Sequence, residues 1–249
     1  MLQTYLNKVK ELLDVIEKNE LDHMKQAAQK VAEAIQKGGI IHLFGCGHSH
    51  ILTEEVFYRA GGLVPIHPIL HEPLMLHEGA VRSSQLERKN NYAELFLKDH
   101  DIREHDICFV LSTSGRNPVP VDVANHFRQK GVFVIGITSI TYSSSQPSRH
   151  QSGKHLFDSV DIVIDNHSPI GDAVLTHEQV KVPFTPTSTV IGATILNAIF
   201  SEAITIMAEN GFEPPVFLSG NINGADEHNN QLIAKYADRI PLLTLNLEG

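Results

Sequence analysis

Two short polar loops of this 249-residue chain combine the residue types that bind phosphate. One reads Gly-Cys-Gly-His-Ser-His over residues 45–50, and the other reads Ser-Thr-Ser-Gly-Arg-Asn over residues 112–117. Glycine lets backbone N–H groups approach a ligand closely, and serine and threonine hydroxyl groups donate further hydrogen bonds. A helix that begins at such a loop adds the positive end of its dipole. The loops therefore predict a site for a phosphorylated small molecule.

Each loop lies between a predicted strand and a predicted helix. Apolar, β-branched runs at residues 40–44 and 107–111 precede the loops, and helical patterns follow them. The helix after the second loop has Asn117 at its N-cap position and Pro118 as its first residue. The other predicted strands span residues 63–66, 132–137 and 160–164, and the predicted helices span about 49–60, 84–98, 118–130 and 189–209.

Strands that alternate with helices predict an α/β fold with a doubly wound, five-stranded parallel sheet. In the flavodoxin-like strand order 2-1-3-4-5, strands one and three are neighbours. The two polar loops follow these two strands. We therefore expect the loops to meet at one edge of the sheet.

The first 36 residues form an N-terminal helical extension. Apolar residues recur every three or four positions, which predicts one amphipathic helix or two helices broken near Asn19. The stripe is narrow, so it favours a helix shared with a second copy in a homodimer over a helix that lies on its own sheet. The predicted organisation is a helical region at residues 1–36, a ligand-binding domain at 37–210, and a polar segment with a helix at 211–249 that completes the site.

Composition narrows the classes of function. A net charge of −9 without a basic run argues against a nucleic-acid partner. The two cysteines cannot form a disulfide framework, and the first residues lack a signal-peptide pattern, so a cytoplasmic protein is expected. The longest apolar stretch, residues 190–200, is too short to span a membrane. Neither a metal nor another cofactor is expected, because no metal-binding spacing of histidine or cysteine occurs.

Two other phosphate-binding motifs fit the sequence poorly. The dinucleotide-binding motif requires a glycine three residues after Gly47, where this chain has His50. Neither loop contains the Gly-Lys-Ser/Thr sequence of a P-loop. The sequence therefore favours a different kind of phosphate site.

The motifs resemble those of the SIS (sugar isomerase) domain, nearest to its phosphoheptose-isomerase-like branch, over about residues 37–210. The resemblance is carried by Ile-His-Leu-Phe-Gly-Cys-Gly-His-Ser at 41–49, Leu-Ser-Thr-Ser-Gly-Arg-Asn-Pro at 111–118 and Val-Ile-Gly-Ile-Thr-Ser at 134–139. It implies a parallel sheet, a dimer or tetramer, and a phosphosugar ligand. The phosphosugar-binding positions are then Gly47, Ser49, Ser112, Thr113, Ser114, Gly115 and Asn117.

One position departs from the pattern of the family. Phosphoheptose isomerases and N-acetylmuramic acid 6-phosphate etherases carry a catalytic glutamate ten residues after the first-loop serine, where this chain has Arg59. The hexulose-phosphate isomerase branch also has arginine there, so the resemblance leaves isomerase activity open. Glu55 and Arg59 replace the histidine and glutamate of the zinc site, so the resemblance does not extend to the metal.

Aldose–ketose isomerisation requires a base that removes a proton next to a carbonyl. His228 and Glu227 are the first candidates, because a histidine from a partner subunit completes the site in several SIS enzymes. Glu55, on the helix after the first loop, is the third candidate. Alternatively, these residues form a helix start and an exposed helix face. The long connection over residues 67–106 is predicted to cover the site.

The sequence thus predicts a phosphosugar-binding protein. It is an isomerase, or another phosphosugar-converting enzyme, that abstracts a proton next to a carbonyl. The alternative is a non-catalytic phosphosugar sensor or regulatory module, because SIS domains also recognise ligands in transcriptional regulators. No helix-turn-helix segment or basic patch is present, which disfavours a DNA-bound regulator.

Overall fold

The computed structural model of the chain describes residues 1–246. Its central sheet consists of five parallel strands in the order β2-β1-β3-β4-β5, which confirms the predicted fold class and strand order. The strands are β1 (Ile41–Gly45), β2 (Ile66–Pro68), β3 (Ile107–Leu111), β4 (Phe133–Thr138) and β5 (Ile162–Asp165). All residues of β1 and β3 are buried, as expected for strands covered on both faces.

The helices alternate with the strands. They are α1 (Leu2–Asn19), α2 (Leu21–Gln36), α3 (Ile51–Glu55), α4 (Ala80–Leu86), α5 (Glu94–Leu97), α6 (Pro118–Gln129), α7 (Ile140–Ser144), α8 (Ser188–Glu209) and α9 (Ala225–Tyr236). The predicted break near Asn19 separates α1 from α2. There the buried side chain of Glu20 contacts the end of β5 and accepts hydrogen bonds from the Asp165 backbone N–H at 3.2 Å and from His167 at 3.1 Å.

Helices cover both faces of the sheet. On one face α2 packs against α8, and their apolar residues form a core with Leu43 and Phe109 of the sheet. On the other face α6 contributes Phe127 to a second core that includes Phe44 and Val110. Helices on both faces of the sheet therefore hold the strand ends in place.

Helix α8 has the length and apolar composition of a membrane span, and within residues 1–246 it is the one helix that does. In the structure its buried side, which includes Ile195, Ile199 and Met207, packs against α2 and the sheet. The apolar composition of α8 is thus explained by its place in the core.

Three local predictions were wrong. Strand β2 lies at residues 66–68 and not 63–66, because Leu63 pairs antiparallel with Val216. Helix α3 ends at Glu55, since Tyr58 and Gly61 have positive φ angles. The predicted helix at 84–98 is two short helices, α4 and α5, with Asn91 at φ 62° between them.

A short hairpin was not predicted. Its antiparallel strands are β6 (Leu175–His177) and β7 (Val180–Phe184). Most of its residues are exposed, so they lack the alternation of buried and exposed side chains that identifies a strand in sequence.

The two ends of the chain differ in how they pack. Helix α2 belongs to the main core, whereas Leu2 and Leu6 on α1 remain 87% and 53% exposed. At the other end, α9 brings Tyr236 into a third core with Ile40 and Val64. Pairing through α1, and the division of the chain into three parts, stay predictions.

Candidate functional site

The two polar loops lie side by side. Strand β1 pairs with β3 in parallel, and Gly45 at the end of β1 is opposite Leu111 at the end of β3. Both loops therefore leave the same edge of the sheet, at the carboxyl ends of adjacent strands, where ligands bind in open α/β sheets.

The first loop folds tightly against its own backbone. A Cβ atom at Gly45 would lie 2.6 Å from the carbonyl carbon of Ser49, so the position accepts only glycine. Gly47 has a φ of 55°, and a short 3₁₀ turn over Gly47–His50 leads into α3. His50 is buried, and its Nδ1 contacts the Gly47 carbonyl. These contacts hold the loop in this shape and leave Ser49 half-exposed.

The second loop is bound to the ends of the next two strands. The Thr113 carbonyl accepts hydrogen bonds from the Ser139 backbone N–H at 3.0 Å and from the Thr138 hydroxyl at 3.3 Å. Gly115 has a φ of 57°, and a Cβ atom there would lie 2.5 Å from the Ser143 hydroxyl. Glycine is therefore required at this position, and the loop is rigidly placed.

The hydroxyl groups of the loops remain able to donate. The Ser112 hydroxyl accepts from the Gly115 N–H at 3.3 Å, and the Thr113 hydroxyl accepts from the Asn166 amide at 3.3 Å. Acceptance leaves each hydroxyl proton available. The Ser49 and Ser114 hydroxyls form no hydrogen bond with residues 1–246. Donors with these properties suit a phosphate group.

Asn117 lies at the N-cap position of α6, but its side chain does not cap the helix. Its amide donates to the carboxylate of Glu87, and its carbonyl oxygen accepts from Nη1 of Arg149 at 2.8 Å. The predicted N-cap position of Asn117 is confirmed, and two distant residues take both polar atoms of its side chain. Asn117 thus links a carboxylate to a guanidinium beside the second loop.

Glu87 is the carboxylate that the structure brings to the site and that sequence reasoning missed. It follows α4, and its backbone carbonyl accepts a hydrogen bond from Val119 in the first turn of α6 at 3.2 Å. Burial raises the pKa of Glu87, while Arg88 and Arg149 act in the opposite direction. Perturbed carboxyl groups in clefts are typical of functional sites. No motif surrounds Glu87 in the sequence, so no local signal identified it.

Glu87 also lies near the first loop. Burial raises the pKa of the Cys46 thiol well above its usual range, and the charge of Glu87 contributes to this rise. Cys46 is therefore a protonated, buried loop residue and not a nucleophile. The Glu87 carboxylate thus contacts the second loop through Asn117 and acts electrostatically on the first.

The region that was predicted to cover the site does lie against the first loop. Leu76 is the side chain nearest to Gly47, and the ring of His77 is 6.4 Å from that of His50. The segment is fixed by Leu74 and Leu97, which are buried in the second core. His67, the predicted start of this region, instead belongs to β2 and is buried.

The predicted catalytic residues have their contacts outside the two loops. Glu55 pairs with Arg59 at the end of α3. His228 contacts the Val216 carbonyl at 2.9 Å, and Glu227 is exposed in the first turn of α9. Helix α9 packs near the start of β1 and not near its end. A role for His228 and Glu227 in the site of a second copy stays a prediction.

The residues described by the structure contain no group of three or more histidine, cysteine, aspartate or glutamate side chains placed to hold a metal ion. The donors at the site are instead hydroxyl, amide and guanidinium groups. This donor set suits an anion.

Comparisons with known proteins agree with the fold. A UPF0309 protein from Halalkalibacterium halodurans is 68% identical over 246 residues, which cover 99% of this chain and 98% of that protein. A UPF0309 protein from Listeria innocua is 62% identical over 247 residues, which cover 99% of this chain and all of that protein. The solved structure of phosphoheptose isomerase from Neisseria gonorrhoeae superposes with a TM-score of 0.50 at 12% identity, covering 83% of this chain and 97% of that chain.

The family model described as the SIS domain matches residues 4–139, which include both polar loops and strands β1 to β4. Together with the strand order and the two full-length relatives, this match shows that the chain belongs to the SIS-domain family and, within it, to the UPF0309 proteins.

Proposed function

We propose that the protein binds a sugar phosphate and isomerises it by abstracting a proton next to the carbonyl. The observation that carries the proposal is the contact of Glu87 with the second loop, which adjoins the first loop at the ends of β1 and β3. The fold is similar to that of phosphoheptose isomerase from Neisseria gonorrhoeae. Arg59, in place of the glutamate of those enzymes, argues for a different sugar.

In this proposal the loops anchor the phosphate group of the substrate, and Glu87 acts as the base. The hydroxyls of Ser49, Ser112 and Ser114 hold the phosphate, which orients the sugar. One carboxylate oxygen of Glu87 accepts from Asn117, and the other forms no hydrogen bond with residues 1–246. That oxygen is available to remove a proton, and the raised pKa of Glu87 makes it a stronger base than a free glutamate.

Deuterium exchange tests the proposal. We expect the protein to transfer deuterium from D₂O to the carbon next to the carbonyl of at least one member of a panel of aldose and ketose phosphates, as measured by mass spectrometry. Glu87→Gln should slow this exchange by about 100-fold to 10,000-fold, because it removes the base. Its dissociation constant for the same sugar phosphate should stay within about threefold, because binding depends on the loops.

The matched control is Glu94→Gln, an exposed glutamate on α5 in the same region of the chain. It should exchange deuterium like the unmodified protein. If the protein binds sugar phosphates but never incorporates deuterium, it is not an isomerase of this kind, and the sensor function takes precedence.

A further inference from the structure

Three arginines, which we call the arginine cluster, lie at the α6 end of the second loop: Arg88, Arg116 and Arg149. The backbone N–H of Arg149 donates to the Arg116 carbonyl at 2.8 Å, and its guanidinium donates to Asn117 at 2.8 Å. Arg88 follows Glu87, which contacts Val119 in the first turn of α6. The three side chains therefore start from backbone positions that are fixed around one helix turn.

The arginine cluster lacks the carboxylate partners that four of the chain's eight arginines have; Arg82, which is exposed on α4, likewise forms no salt bridge within residues 1–246. Arg59, Arg103, Arg128 and Arg239 each form a salt bridge with aspartate or glutamate. The three cluster arginines form none within residues 1–246. The Nε atom of Arg116 is also buried there without a hydrogen-bond partner. A buried donor of this kind calls for an explanation, and a bound anion would provide one.

The charges of the cluster do not balance. Burial, together with the guanidinium groups of Arg116 and Arg88, lowers the pKa of Arg149, which shows that the three positive groups influence one another. Glu87 is the carboxylate that opposes them. An excess of positive charge therefore remains locally, although the chain as a whole has a net charge of −9. Planar guanidinium groups in this situation bind carboxylate or phosphate groups.

One phosphate does not account for both sets of donors. The neutral donors of the two loops, with the N-terminal end of α6, already provide a site for one phosphate. Asn117 separates Glu87, which is near Cys46 of the first loop, from Arg149. Arg149 thus lies beyond Glu87 along this chain of hydrogen bonds, and its backbone N–H holds it against Arg116 at the end of the second loop.

We propose that the ligand of the two loops carries a second anionic group and that Arg88, Arg116 and Arg149 bind it. The inference rests on the proposed function and narrows its substrate class to a phosphorylated sugar acid or a sugar bisphosphate. A carboxylate and a second phosphate both present several negatively charged acceptor oxygens, which guanidinium groups recognise through paired hydrogen bonds.

Isothermal titration calorimetry with two matched pairs of probes tests this inference. One pair is glucose 6-phosphate and 6-phosphogluconate, which differ by a carboxylate. The other is fructose 6-phosphate and fructose 1,6-bisphosphate, which differ by a phosphate. We expect the protein to bind the doubly anionic member of at least one pair about 10-fold or more tightly than its partner, because charge-assisted hydrogen bonds are strong. The pair that shows the preference identifies the second group.

Arg116→Gln should abolish the preference while changing the affinity for the monophosphate by less than about threefold. Arg88→Gln, at an exposed side chain, serves as the second variant if Arg116→Gln does not fold. The control is Arg128→Gln, at the far end of α6, where the arginine pairs with Asp161 at 3.1 Å; it should keep the preference.

Two results overturn the inference alone. The first is equal affinity for both members of each pair, and the second is an equal loss for both members in Arg116→Gln, which would assign the cluster to the same phosphate as the loops. Absence of binding of all four probes would overturn the proposed function and this inference together.

Discussion

Buried polar groups are paired differently at the two ends of the central sheet. At the starts of the strands, the buried carboxylate of Asp106 accepts hydrogen bonds from the backbone N–H groups of Ile40 and Arg103 at 2.9 and 2.8 Å. It also accepts from His42 at 3.1 Å and from Arg239 at 2.8 Å. The carboxylate is thus surrounded by four partners from three parts of the chain.

At the other end, where the loops leave β1 and β3, donors outnumber acceptors. The hydroxyls of Ser49 and Ser114 and the Nε of Arg116 have no partner within the part of the chain that the structure describes. Buried polar groups in proteins are normally paired. The buried Asp106 carboxylate, whose oxygens are all paired, therefore has a structural role, whereas the buried Nε of Arg116 and the partly exposed loop hydroxyls are available to a ligand.

The comparison also explains why a cavity does not suffice to locate the site. A cavity of about 500 Å³ lies beside β2 and is lined by His67, His100, Asp101 and Arg239 among others. Arg239 in this cavity is already paired with Asp101 and Asp106. Carboxylates therefore already neutralise the guanidinium group of this cavity, whereas the arginine cluster at the loops has no carboxylate partner within residues 1–246.

The largest expected effect is on stability, at the end of the sheet where the strands start and Asp106 is paired. Asp106→Ala removes the acceptor and leaves His42 and Arg239 without their buried partner. We expect the free energy of unfolding to fall by about 3–5 kcal/mol in urea denaturation. Asp101→Ala is the matched control, because Asp101 is half-exposed in its salt bridges and should cost at most about 1 kcal/mol. Similar losses in both variants would contradict the structural role of the Asp106 network.

The next effect is on the binding of a sugar phosphate, at the end of the sheet where the two loops leave β1 and β3. Ser114→Ala should weaken the binding of a sugar phosphate by about 10-fold to 100-fold, because it removes a donor to an anion. The free energy of unfolding should change by less than about 0.5 kcal/mol, since the hydroxyl has no partner within the described chain. Calorimetric titration and urea denaturation measure the two quantities. Ser201→Ala on the exposed side of α8 is the control for both. An equal loss of affinity for the unphosphorylated sugar would contradict the phosphate assignment.

The smallest effect is a pH dependence of stability at the paired end. Burial, with His42 and His100 nearby, lowers the pKa of His67 to about 3. An unfolded histidine has a pKa of about 6.5, so the unfolded chain binds more protons between these values. The free energy of unfolding should therefore fall as the pH falls below about 6.5, by up to about 1.4 kcal/mol per pH unit from this group.

His67→Asn should reduce that slope between pH 6.5 and pH 4, as measured by urea denaturation at several pH values. An unchanged slope would contradict the assignment to His67.

The carboxyl group of Asp106 affects the free energy of unfolding in a separate pH range. Burial raises the pKa of its carboxyl group, but hydrogen bonds from His42, Ile40 and Arg103 prevail and lower it to about 2. Its stabilisation is therefore lost only as the pH falls from about 4 towards 2.

Much of the fold could be predicted because its signals are local. The runs before the two loops are buried strands, as their β-branched residues predict, and β3 has the predicted bounds. Predictions failed where distant residues decided the outcome. Leu63 has the pattern of a strand that continues β2, yet it pairs with Val216 from the other end of the chain.

The site shows the same difference between features that local sequence predicts and features that distant residues decide. The two loops were identified from their glycine and hydroxyl residues alone, since those residue types carry their chemistry in any context. Glu87 and Arg149 were missed, because they reach Asn117 from 30 and 32 residues away and no motif marks them. The sequence by itself thus determined the strands, the order of elements and the two phosphate-type loops, because backbone preference and side-chain type are local properties. Only the tertiary structure decided which charges are paired and which are not, because pairing depends on what distant segments bring together.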